Sequence, residues 1–140
     1  MKYAKHIHVL SLIATIPARS PCRRMTCEEA NAAFDHMFGY IHEHWAKPLT
    51  AMTENGLTCH VVKTVANQHE FDDCRKLLKA TSTAEIIAQL ETLPPHYAEH
   101  IFPVAVARYM VRDLGMPFDH HRCRTFQEFH NRYGAMILGC

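Results

Sequence analysis

Apolar positions along this chain fall into blocks of different period. Residues 6–16, His-Ile-His-Val-Leu-Ser-Leu-Ile-Ala-Thr-Ile, are dense in branched side chains and stop at Pro17, which predicts a strand largely buried on both faces. A basic loop follows over 18–24. Thr26 with Glu29 three residues on forms a capping box, and Ala30, Ala33, Phe34, Met37, Ile41 and Trp45 recur at helical spacing, so a long helix is predicted from there to about Lys47, before Pro48. Runs 49–53 and 57–65 flank Glu54-Asn55-Gly56, where Asn-Gly supplies the positive φ of a hairpin turn.

Beyond Ala66 the period becomes helical and stays so. Asn67 with Glu70 caps a helix carrying Phe71, Cys74, Leu77 and Leu78, and Ser82 with Glu85 caps a second carrying Ile86, Ile87, Leu90 and Leu93, a predicted helical hairpin. Pro94-Pro95 ends it. Pro103 fits the first turn of a helix running to Leu114, with Gly115 as its C-terminal cap. Thr125 with Glu128 predicts a last helix with the stripe Phe126, Phe129, Tyr133, Met136 and Ile137. The sum is one α+β domain over 1–140: a small antiparallel sheet of about three strands, then a half dominated by about four helices.

Composition changes this picture in two places. The 140 residues are 48% hydrophobic and 21% charged, enough to bury a core without disulfide staples, and the formal charge of +1 indicates neither an acidic nor a strongly basic surface. Histidine is the outlier at 12 copies, which makes the chain a candidate sensor of mild acid. The six cysteines are irregularly spaced with no C-x-x-C pair, so they read as reduced thiols in a cytoplasmic protein. A competing reading makes 1–18 a secretory signal, with Lys2 and Lys5 ahead of an apolar run. No stretch reaches the ~20 apolar residues of a membrane span, so no membrane partner is expected.

Four groups of residues could carry chemistry. His96-Tyr97-Ala98-Glu99-His100 resembles the H-x-x-E-H of inverted zinc metallopeptidases, over five residues only; the resemblance implies His96 and His100 as zinc ligands and Glu99 as the base on a zinc-bound water. A third ligand would come from Glu128, His120, His121 or Cys123. Asp119-His120-His121-Arg122-Cys123 gathers three ligand types in one loop, and Cys22, Cys27 and Cys59-His60 are further zinc-capable residues, although neighbours on a strand face opposite sides. His44 projects into the apolar stripe of the long helix and reads as a hydrogen-bonded core residue. Finally, Arg108, Tyr109 and Arg112 share a helix face and Arg122 and Arg124 follow, while Lys2, Lys5, Arg19, Arg23 and Arg24 all precede the first acidic residue, Glu28.

Absences narrow the choice. The five glycines have neither dinucleotide-loop nor phosphate-loop spacing, and none of the three serines sits in a nucleophile elbow. The expectation is therefore a small non-enzymatic interaction or inhibitor protein without cofactor, of the kind a mobile element carries, that binds a larger protein or nucleoprotein through Arg108, Tyr109, Arg112, Arg122, Arg124, Arg23 and Arg24. Two other readings stand beside it: a zinc-dependent hydrolase or zinc-stabilised protein using His96, Glu99 and His100, and a nucleic-acid-binding regulator, whose affinity would fall steeply with salt.

Overall fold

A computed structural model describes residues 2–16, 24–45, 68–79, 82–95, 97–119 and 121–128. The described residues are helical, with no strand among them, which overturns the predicted α+β sheet fold. The predicted first strand is helix α1 (Ala4–Ala14). Its buried residues His6, Val9, Leu10 and Ile13 follow the i, i+3, i+4, i+7 rule, a period that the surrounding Ile7 and Leu12 hide in the sequence. Two hydroxyl side chains, Ser11 within it and Thr15 at its C-cap, bond back onto the helix backbone: Ser11 Oγ donates to His8 O and Thr15 Oγ1 to Leu12 O, each at 2.7 Å. The hairpin over 49–65 lies outside the described residues.

Helix α2 (Cys27–His44) forms as its capping box dictates. Glu29 N donates to Thr26 Oγ1 at 3.1 Å, and Thr26 N donates to Glu29 Oε1 at 3.3 Å. It buries Ala30, Phe34, Met37, Phe38 and Ile41, and Trp45 closes it by donating its backbone N–H to Ile41 O. Helix α3 (Gln68–Leu78) buries Cys74, Leu77 and Leu78. Helix α4 (Thr83–Thr92) packs on α3, buries Ile86 and Leu90, and is capped by Ser82 Oγ accepting from Glu85 N at 3.2 Å. The predicted cap Asn67 lies outside the described residues.

Helix α5 (Phe102–Arg108) is buried at every position from Phe102 to Ala107. A helix apolar on all sides must be wrapped by others, and Pro-Val-Ala-Val-Ala over 103–107 is such a sequence. Pro103 occupies its first turn, where the missing N–H costs nothing. Two π-helical turns, Tyr97–Ile101 and Tyr109–Asp113, flank α5. The wider first turn lets a helical path run into Pro103 without the clash that an α-helical register would force on the Glu99 carbonyl. Gly115, at φ 57°, ends the path as expected, with Met116 N donating back to Met110 O at 3.1 Å.

Two aromatic assemblies tie these helices together. Phe34 and Phe38 of α2 pack on Phe126, with Phe34–Phe126 ring centres 4.4 Å apart, and Phe118 meets Phe34 and Phe126 edge-on. At the other assembly the His6 ring lies against Tyr3, Trp45 and Phe102. A carbonyl can only accept, so the 2.7 Å bond between His6 Nε2 and Ala98 O makes Nε2 the protonated nitrogen. Lys5 completes this junction between α1 and the first π turn, with its ammonium 2.8 Å from Glu99 Oε2 and 4.4 Å from the centre of the Trp45 ring.

Candidate functional site

Of the predicted histidine and cysteine groups, Cys22, Cys59 and His60 lie outside the described residues. Glu99 is engaged by Lys5, while His96 and the side chain of His100 lie outside the described residues. Among the described residues no three His, Cys, Asp or Glu side chains gather as a metal site. His44 is a correction: it is exposed, stacked on Tyr40 with ring centres 3.9 Å apart, its Nδ1 bonded to Tyr40 O at 3.0 Å. The buried histidine is His6, which the strand reading of 6–16 concealed.

A turn at 121–122, with Asp119 before it, anchors the chain to α2. Asp119 N donates to Asn31 Oδ1 and His121 N to Asp119 Oδ1, both at 2.9 Å. His121 stays exposed while Cys123 enters the core, so this turn parts two of the residues considered as ligands; His120 lies outside the described residues. Asp35 holds the next step, accepting from Thr125 Oγ1 at 2.9 Å and standing 3.6 Å from the Cys123 thiol. Thr125 therefore sits within the helical residues 124–128, bonded across to α2, and is not the N-cap expected with Glu128. Burial, reinforced by the Asp35 charge, pushes the Cys123 thiol up to about 12. Under native conditions Cys123 is expected to resist iodoacetamide while exposed Cys27 is modified, as mass spectrometry of the labelled peptides would read; equal labelling of the two would contradict this burial.

Two of the predicted arginines, Arg108 and Arg112, line one cleft. Arg75 and Asp72 from α3 face Arg108 from α5 and Tyr109, Arg112 and Asp113 from the second π turn, around a cleft of about 270 Å³. Arg75 Nε is ion-paired with Asp113 Oδ2, joining the two walls. Arg108 is partly withdrawn from water, and this desolvation lowers its pKa from the ordinary guanidinium range; neighbouring Arg112 adds to the lowering, and Asp72 and Asp113 oppose it. Tyr109 is 5% exposed, so it forms part of the wall and does not project as an anchor. Arg24, Arg122 and Arg124 are exposed and do not line the cleft, Arg122 lying 3.7 Å from Asp119; Arg23 lies outside the described residues.

The sequence reading placed Arg108, Tyr109 and Arg112 on one helix face but missed Arg75 and Asp72. A usable signal was present: Asp72 and Arg75 flank Cys74 at the edge of the α3 apolar stripe, the position from which polar side chains reach a neighbouring helix. No family model, curated protein or solved structure matches the chain.

Proposed function

We propose that this chain is a non-enzymatic interaction protein whose arginine cleft, between α3 and the end of α5, receives an acidic group of a larger protein. The observation that carries the reading is the convergence of Arg75, Arg108 and Arg112 from two helices on one concave site. Guanidinium groups held in place on packed helices bind oxyanions through paired N–H donors, and arginine is enriched among the residues that dominate protein interfaces. Asp72 and Asp113 in the same walls favour this reading over a nucleic-acid groove, because a polyanion would meet both carboxylates. The same proposal places the protein in the cytoplasm. Buried thiols at Cys74 and Cys123 support it, and among the described residues no helix is long and apolar enough to cross a membrane.

Affinity capture with the wild-type chain and with the double variant R108A/R112A tests the proposal. Arg112 is exposed and Arg108 only partly buried, so the double variant is expected to retain the wild-type circular dichroism spectrum while losing about tenfold or more in affinity for the captured partner. Retention of every captured protein with unchanged affinity would sink the assignment of this cleft.

A further inference from the structure

The cleft holds a charge balance that restricts what it can bind. Among the described residues its walls carry three guanidinium groups, Arg75, Arg108 and Arg112, against two carboxylates, Asp72 and Asp113. The described groups together leave an excess of one positive charge, on the side where Arg108 and Arg112 stand close enough to repel. A single added carboxylate brings the site to neutrality and offers two oxygens to the planar donors of Arg112 and Arg108. A phosphate dianion or a nucleic-acid strand overshoots that balance and is pushed back by Asp72 and Asp113.

Resting on the reading above, we infer that the cleft is a monocarboxylate site: the partner's anchoring group is one aspartate or glutamate side chain, or a chain-terminal carboxylate, and not a phosphoryl group. The Arg75–Asp113 pair is a strap between α3 and the second π turn. Arg108 and Arg112, four residues apart in the opposite wall, supply the donors for the ligand.

The experiment follows the arginine Nε–H resonances of the ¹⁵N-labelled full chain during titration with four probes. These are an acetylated and amidated Gly-Glu-Gly, an N-acetyl-triglycine with a free terminus, inorganic phosphate above its second pKa, and a short single-stranded oligonucleotide. Either or both carboxylate probes should move the Arg108 and Arg112 resonances and saturate at about millimolar concentration, and the responding probe identifies the source as side chain or terminus. R112A should weaken that binding about tenfold, while R24A, at an exposed site outside the cleft, should leave it unchanged. Tighter binding of phosphate or oligonucleotide than of both carboxylates overturns the inference. So does the absence of any shift in these resonances with all four probes up to about 10 mM. If carboxylates fail here while R108A/R112A still loses its captured partner, the interaction reading stands and only the monocarboxylate assignment falls; if carboxylates bind but capture is unaffected, the interaction reading fails alone.

Discussion

Phe34→Ala is expected to cost about 3–5 kcal/mol of folding stability, which for a domain of ordinary stability removes about a fifth or more of the total. Phe34 is fully buried and meets three other rings: Phe126 stacked at 4.4 Å, Phe118 edge-on at 5.3 Å and Phe38 at 6.3 Å. Truncation loses the transfer energy of the ring and opens a cavity whose surroundings are fixed independently. Phe126 follows a turn bolted to α2 through Asp119, Asn31, Asp35 and Thr125, so it has little freedom to move into the gap. Equilibrium urea unfolding should show a lower midpoint with an unchanged slope. A loss below about 1 kcal/mol would mean that the aromatic assembly rearranges and is not the rigid centre described. Phe34→Leu, which keeps most of the volume, should fall between the two.

The second large effect concerns acid. His6 is 1% exposed, donates from Nε2 to Ala98 O, and has no hydrogen-bond partner at Nδ1 among the described residues. Protonation would place a charge and an unpaired N–H among Tyr3, Trp45 and Phe102. Burial lowers the His6 pKa below 6.5; the bond to Ala98 and the carboxylate of Glu99, 3.9 Å away, oppose the shift, and Lys5 adds to it. The folded pKa is thus below the unfolded one. Its contribution to stability is complete above the unfolded value of 6.5 and is lost as pH falls from there through the folded pKa. Wild-type stability should therefore decline below pH 6.5, and His6→Gln, which keeps a donor for Ala98 but does not titrate, should flatten that decline. His6→Ala should cost about 2–4 kcal/mol at neutral pH, because it removes a buried ring and strands the Ala98 carbonyl. Urea midpoints for the three proteins across the pH range provide the measurement, and parallel wild-type and His6→Gln curves would exclude His6 as the acid-sensitive group.

How much of this was legible in the sequence differed by element. Local chemistry was readable wherever a short-range rule decides: the Thr26–Glu29 box, the Ser82 cap, Pro103 in a first turn and Gly115 with positive φ all depend on a few neighbouring residues. Residues 6–16 failed for the opposite reason. A short apolar run satisfies a doubly buried strand and a buried helix equally, and only the helices it packs against choose between them. The cleft was half visible: the helix spacing puts Arg108 and Arg112 on one face, whereas Arg75 comes from a helix more than thirty residues earlier and joins them only through the packing of α3 on α5. His44 was misplaced because a helical projection gives an angle, not the angular width of the buried face. α2 buries Phe34, Met37, Phe38 and Ile41 on an arc that leaves His44 outside.

The π-helical turn Tyr109–Asp113 also constrains how the gene can change. Such a turn is equivalent to one residue inserted into an α-helix, so losing a single codon there would let the segment relax into an ordinary register. Side chains beyond the turn would then keep their angle to α5, because the extra residue is what the wider turn absorbs. A codon lost from the regular turns of α5 has nothing to absorb it and would rotate everything beyond by about 100°, carrying Arg112 and Asp113 away from α3. The second π turn is thus a place where the gene can lose a residue without turning the far wall of the cleft aside.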